Sequence, residues 1–401
     1  MLFPHHERLP PAPAYGSSTV AEIMTSAAAA LGLDGFHNAL GVSTARRIVV
    51  VMIDGLGMTL LRKHTAHARF LREGISSARV LSSAFPSTTA ASLASFGTGL
   101  APGQHGMVGY DVLDPTQGKV VNMLGRWDPG VDPLAWQPHP TVFERVSGHL
   151  PVVTVSQPRF ADSPMTRAAL RGSTFVGANT IHARIDAAAE QLATAPRMLM
   201  YFYLNDLDKA GHRYGTDSAE WLRTLEDLDA ALKLLARRVP PDTLLLLTAD
   251  HGMVDIPAAQ RIDYSERADL VDGVAHTGGE PRMVHLYLDP ALSIGDRTAL
   301  AERWHAAFGT KAWVLTREQA VTQGYFGAVA DDVRPRIGHV IVLAREGVAL
   351  LDGRRVQPAA FDVVGQHGSL TRAEREIPLL AVTKPAGGGA RRGSSRGARR
   401  G

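Results

Sequence analysis

The 401-residue chain has no cysteine. That absence removes disulfides, thiolate metal sites and a thiol nucleophile together, so any metal has to be held by histidine and carboxylate. Long hydrophobic runs are missing too. No apolar stretch reaches the roughly 20 residues of a membrane-spanning helix, and Met1–Gly16 lacks a basic-then-apolar leader pattern. A cytoplasmic protein without membrane association is the expectation. Nor does the body of the chain carry an excess of positive charge. The formal +3 includes Arg391, Arg392, Arg396, Arg399 and Arg400, and without those five the remainder stands at −2. Such a balance gives no basis for a nucleic-acid-binding surface. Nothing in the sequence specifies an oligomeric state.

What is present reads as an α/β protein, long enough for one large domain with an inserted subdomain or for two domains. Arg47–Ile53, Arg197–Leu204 and Thr243–Leu247 are near-continuous apolar runs, the mark of strands buried on both faces of a parallel sheet. Val152–Ser156 and Ile377–Val382 read as further strands, and Tyr110–Leu124 as a hairpin turning at Asp114–Gly118. Trp221, Leu225, Leu228, Leu232 and Leu235 recur at helical spacing and form a core-facing stripe.

The expected organisation is a lead-in with a helix over 1–46, a main α/β domain over 47–384, and a Gly/Ser/Arg tail over 385–401 that is expected to be disordered. Within the domain, 255–362 loosens into short strands (Met283–Leu288, Val340–Leu343) and a helix (Arg297–Phe308), an insertion expected to cap the site.

Each of the three apolar strands empties into an acidic cluster: Asp54, then Asp208 with His212, then Asp250 with His251. Parallel strands of one sheet end on the same side, so these groups should converge. His367, between Gly365-Gln366 and Gly368, supplies a third imidazole. Three carboxylates and three imidazoles suffice for two metal ions with open positions left for substrate. Mixed histidine and carboxylate donors suit zinc, with manganese as the alternative. Taken alone, Asp54 also reads as a cap for the helix that follows. The Gly55-x-Gly57 pair is no dinucleotide loop, since Leu60 stands where the third glycine belongs.

A second candidate stretch is Phe85–Gly99. Pro86 and the Ser/Thr run read as a helix entry, and Gly97 and Gly99 as its stop. Thr88 or Thr89 then lies in the first turn, where free N–H groups and the helix dipole stabilise a phosphate or a developing anion. Plain capping competes with that reading.

In this order the pieces resemble the alkaline phosphatase superfamily, and within it the nucleotide pyrophosphatase/phosphodiesterase-like branch. The matching elements are the strand with Asp54-Gly55, a Thr preceding Thr98-Gly99, Asp208-x-x-Gly211-His212, Asp250-His251-Gly252-Met253, and Gly365-x-His367-Gly368. They run from Arg47 to about Val382. The resemblance implies a three-layer α/β core with a central, mostly parallel sheet and an inserted cap subdomain. It implies one zinc on Asp208, His212 and His367 and another on Asp54, Asp250 and His251. The family's nucleophile lies ten residues before the glycine of the Thr-Gly pair, which selects Thr89 over Thr88.

The implied activity is a dizinc-dependent cleavage of phosphodiester or pyrophosphate bonds in nucleotide-like small molecules through a covalent phosphothreonine. The alternatives are a phosphomonoesterase on the same site and a non-catalytic phosphate-binding protein. Phosphodiesterase relatives carry an Asn 21 residues after the nucleophile, where this chain has Tyr110. Its phenol either donates a hydrogen bond to a phosphoryl oxygen or packs. Arg159, just after a strand, is either a phosphate contact or a solvated loop arginine. The sulfatase branch, which needs a modified Cys or Ser, and the mutase branch, which needs a different Ser motif, are set aside.

Overall fold

The structure, a computed structural model, describes residues 9–384. The segment expected to be a disordered tail lies outside the described residues. Two sheets carry the fold. Their strands, in chain order, are β1 (Arg47–Ile53), β2 (Arg79–Ser82), β3 (Asp111–Asp114), β4 (Lys119–Asn122), β5 (Val152–Ser156), β6 (Thr174–Gly177) and β7 (Met198–Leu204). They continue with β8 (Thr243–Thr248), β9 (Val274–Glu280), β10 (Met283–Leu288), β11 (Ala312–Thr316), β12 (Val340–Ala344) and β13 (Glu376–Lys384).

The larger sheet has the order β2-β13-β8-β1-β7-β5-β6. β1 runs parallel to β7 and β8, and β5 parallel to β7 and β6, while β13 is antiparallel to β8 and β2. Nearly every residue of β1, β7 and β8 is buried, which is why these strands read as unbroken apolar runs. Tyr201 on β7 meets Phe96 of the helix Thr89–Thr98 and Phe143 of the helix Val142–Ser147, with ring centroids 5.0 and 6.0 Å apart. The helices Arg69–Ile75, Ile181–Thr194 and Ala219–Arg238 form a second packed group, and the last buries the predicted Trp221 to Leu235 stripe. Each such side chain contributes about 1.5–3 kcal/mol by leaving water.

Register fixes where the functional ends lie. Ile53 pairs with Leu204 and Met52 with Thr248, so three adjacent strands release the chain at nearly one level. Behind them the backbone is packed to contact. A Cβ built on Gly57 would lie 2.5 Å from the Gly252 Cα, and one on Gly252 would lie 1.9 Å from the Ala373 carbonyl oxygen.

The second sheet, β11-β12-β10-β9-β3-β4, is antiparallel throughout. It has a core of its own, where Leu300, Trp304 and Phe308 of the helix Ile294–Phe308 meet Leu286, Val314 and Val342. The hairpin β3–β4 joins it through Gly279 and Asp111, so this sheet draws on residues far upstream of the loosened segment. A short antiparallel pair, Val254–Asp255 with Gly365–Gln366, returns the late chain to the end of β8 and delivers His367 there.

Candidate active site

The helix Thr89–Thr98 begins at Thr89, and Thr88 occupies its N-cap position with extended φ −126° and ψ 151°. Thr88 does not act as a side-chain cap. The Thr89 hydroxyl is buried and lies 3.0 Å from His251 Nε2.

His251 Nδ1 is 2.9 Å from the Gly252 carbonyl oxygen, His212 Nδ1 2.8 Å from that of Gly365, and His367 Nδ1 2.9 Å from that of Ser87. A carbonyl only accepts, so all three rings donate Nδ1–H and present Nε2 as an acceptor, which on His251 takes the Thr89 hydroxyl. This is the arrangement by which metal-ligating histidines are oriented. The segment before the nucleophile is stapled to the His367 loop, with the Ser87 hydroxyl donating to the Ser369 carbonyl at 2.7 Å and the Ser87 N–H to that of Gly368 at 3.2 Å.

The carboxylates face the same space. Asp54 Oδ1 lies 3.3 Å and Asp250 Oδ2 3.5 Å from His251 Nε2, and Asp208 Oδ1 lies 3.3 Å from His212 Nε2. These three oxygens are buried without a hydrogen-bond partner among the described residues. Buried carboxylate oxygens left bare are costly, and a cation among them removes the cost. Burial, followed by repulsion from Asp208 and Asp250, pushes the Asp54 pKa well above the usual carboxylate range, against the opposing hydrogen bond from Tyr203. Burial and then the neighbouring His251 and His212 hold His367 well below the usual imidazole value, so it stays neutral as a ligand must.

One ligand atom each from Asp208, His212 and His367 falls within 4.8 Å of the others, and Asp54, Asp208 and His251 form a second such group. Asp208 therefore stands between the two groups. Asp250, assigned by resemblance to the Asp54 group, is outside it by that spacing yet aims its bare Oδ2 at His251. Its other oxygen accepts the Gly55 and His251 N–H groups at 3.2 and 3.0 Å. The donor set, nitrogen from three imidazoles and oxygen from three carboxylates, fits divalent metal ions.

A family model for type I phosphodiesterase / nucleotide pyrophosphatase matches residues 48–370. The chain belongs to this family. Phosphopentomutase of Anaeromyxobacter dehalogenans is 36% identical over 151 residues, 35% of this chain and 35% of that enzyme. The match thus spans about a third of that relative's length. Among solved structures, murine ectonucleotide pyrophosphatase / phosphodiesterase 5, an inactive form in complex with AMP, superposes with a TM-score of 0.67 at 17% identity, over 84% of this chain and 88% of that one. Phosphonoacetate hydrolase from Sinorhizobium meliloti, in complex with phosphonoacetate, gives 0.66 at 20% identity, over 84% and 90%. These likenesses place the chain in the alkaline-phosphatase-like α/β fold of the phosphodiesterase/pyrophosphatase family. No helix among the described residues is long and apolar enough to cross a membrane.

In this family member a cleft of about 1060 Å³ opens over the site, with the larger sheet on one side and β3, β9 and their neighbours on the other. Tyr110 lines it, half-exposed, its backbone N–H donating to Glu280 Oε2 at 2.9 Å. Arg159 also lines it, in the turn Pro158–Phe160, with its guanidinium 4.6 Å from the centre of the Phe160 ring. Lys209 stands nearby, its pKa lowered by burial and by Arg159.

Sequence reasoning missed Tyr203, whose phenol donates to Asp54 Oδ2 and leaves Oδ1 for the site. Its place in an apolar run hid it. The alternation of side chains along β7 offered the one clue, since Tyr203 points to the same face as Tyr201. Two other histidines are fully engaged elsewhere. His105 accepts from the Met107 N–H and pairs with the Ser95 hydroxyl, and His285 accepts from the Gly338 N–H and donates to the Val108 carbonyl.

Proposed function

We propose that this protein hydrolyses phosphodiester or pyrophosphate bonds in nucleotide-like small molecules, with two divalent cations, zinc or else manganese, and Thr89 as the nucleophile. The observation that carries the reading is the Thr89 hydroxyl at a helix N-terminus, hydrogen-bonded to His251 Nε2 beside three bare carboxylate oxygens. Asp208, His212 and His367 would hold one cation, and Asp54, Asp250 and His251 the other, with Asp208 close to both. Bound there, such cations supply Lewis-acid stabilisation of phosphoryl oxygens and lower the pKa of a hydroxyl or water.

The chain's own residues do the rest. The helix N-terminus beneath Thr89 offers backbone N–H groups to the phosphoryl oxygens. Thr89 Oγ1 attacks phosphorus in line, the bond to the leaving oxygen breaks, and that oxygen departs with a proton as an alcohol or phosphate. Water then cleaves the Thr89–phosphorus bond and restores the hydroxyl. Tyr203 holds Asp54 in place throughout, and Tyr110 and Arg159 line the approach.

A cleft of about 1060 Å³ exceeds what a phosphate group alone would fill, which favours an ester with a sizeable group on each side over a simple monoester. The test is hydrolysis of bis-p-nitrophenyl phosphate, p-nitrophenyl phosphate and a nucleotide ester, each with zinc, with manganese and with chelator. Diester preference that disappears with chelator is expected. A strong monoester preference would replace this reading with a phosphomonoesterase, and no hydrolysis with either metal would leave a phosphate-binding protein.

A further inference from the structure

The turn Glu280-Pro281-Arg282, between β9 and β10, reaches from the second sheet to the stretch that follows His367. Its Arg282 side chain is 1% exposed and pairs with Glu374, 0% exposed, in the short helix Arg372–Arg375. The guanidinium Nε donates to Glu374 Oε1 at 3.0 Å and Nη2 to Oε2 at 2.8 Å, while Nη1 donates to the Val348 carbonyl at 2.7 Å. This fork fixes the carboxylate in direction as well as in place.

Other bonds of Glu374 go to the site. Its Oε1 also accepts the Ser369 N–H at 3.1 Å, two residues past His367, and its carbonyl accepts the Gly252 N–H at 2.7 Å, one residue past His251. The Ser369 carbonyl in turn takes the hydroxyl of Ser87, two residues before Thr89. Glu374 therefore ties together the segments that present His251, His367 and Thr89. The same turn presses on the His367 loop a second time, at Gly368, where a Cβ would lie 2.4 Å from the Glu280 Cγ.

Adhesion between the two sheets does not account for such a pair. Burying two charges costs about as much as their attraction returns, and well-packed apolar residues commonly hold an interface as firmly. What apolar residues lack is direction. Neither Arg282 nor Glu374 lines the cleft, so contact with a substrate does not account for them either.

We propose that Arg282 and Glu374 are positioning residues, a buried ion pair through which the second sheet holds His251 and His367 in register with Thr89. The proposal rests on cation-dependent chemistry at Thr89. Its test compares full-length Glu374→Gln and Arg282→Lys with Leu300→Ala, which opens a cavity in the second sheet's own core. Zinc affinity by calorimetry, kcat and KM with bis-p-nitrophenyl phosphate, and the denaturation midpoint are measured for each. Hydrogen exchange at the Ser369 and Gly252 N–H groups is followed in the metal-free wild type.

Glu374→Gln is expected to weaken zinc binding and lower kcat by about tenfold each, the scale for losing a support behind a ligand, with KM little changed. Arg282→Lys, which keeps the charge without the fork, should lose about threefold. Leu300→Ala should lower the midpoint and leave zinc affinity and kcat within about twofold of the wild type. The two N–H groups should exchange as slowly as those of β8. Unchanged zinc affinity in either folded ion-pair variant, or equal losses in Leu300→Ala, would overturn the positioning role. Should neither ion-pair variant fold, fast exchange at Ser369 and Gly252 overturns it and slow exchange supports it. A wild-type protein that neither binds zinc nor hydrolyses the diester removes the cation reading itself, whereas zinc binding indifferent to the pair removes the positioning role alone.

Discussion

The two halves of the acid–histidine cluster are built differently. In the inner half, the side chains of Asp54, Asp250 and His251 are no more than 4% exposed, and all three leave the ends of the adjacent strands β1 and β8. In the outer half, the His212 side chain is 34% exposed and sits on the helix Asp206–Tyr214, four residues after Asp208, while His367 arrives on a distant loop. One helical turn and a loop hold the outer residues. The contrast teaches that a single site can combine a buried inner pocket with a more open outer one supplied by a helix and a distant loop, and under the proposed two-cation reading the two should part with their cations unequally.

The largest effect should come from removing the group both halves serve. Thr89→Ala is expected to lower turnover by more than about a thousandfold with both metal equivalents retained. Calorimetric metal titration alongside an activity assay checks it, and undiminished hydrolysis would reject the nucleophile. Next, His212→Ala should leave one tightly held equivalent, and graded chelator on the wild type should strip the outer cation first. Metal analysis after dialysis would break the comparison if both cations left together.

A finer probe is Tyr203→Phe, which removes the hydrogen bond to Asp54. Affinity at the inner site should fall by about tenfold, in line with the loss of an outer-shell partner, with the outer site much less affected. Equal weakening of both sites would mean that Asp208 couples them.

The smallest effect concerns a histidine that is no ligand. Burial lowers the His285 pKa from 6.5 to about 4. The folded state resists this proton and the unfolded chain accepts it. The stabilisation is therefore complete above about pH 6.5 and is lost as pH falls through about 4, by roughly 3–3.5 kcal/mol in all. Denaturant titrations between pH 7 and 4 should show a shallower decline in His285→Gln than in the wild type.

The parallel sheet and the acid clusters were legible because both follow from simple periodicities. Strands buried on two faces read as unbroken apolar runs, and an aspartate just past such a run stands out. Asp54 and Asp250 appeared where β1 and β8 end. Asp208 and His212 were found as the cluster that follows the β7 run, and they lie one turn apart on the helix Asp206–Tyr214. Boundaries shifted where capping chemistry decided them. The helix expected from Arg297 begins at Ile294, behind a Ser293–Asp296 capping box.

The antiparallel second sheet was read as a loosened pattern because its strands are short and its partner hairpin β3–β4 lies some 150 residues upstream of β9. Tyr203 was overlooked for a related reason. A hydroxyl inside an apolar strand is indistinguishable from core until the neighbouring strand shows which face it shares.

The glycines behind the inner pocket have a consequence for anyone wishing to alter the spacing of the proposed metal sites. Since the peptide planes at Gly57, Gly252 and Ala373 already touch, nothing larger than hydrogen fits between them. Retuning the cation separation by inserting bulk there would pry the strands apart, whereas trimming or swapping side chains on the solvent-facing helix would adjust it. Directed-evolution libraries aimed at new metal preferences should therefore concentrate on the His212 helix and leave the three-way backbone junction intact.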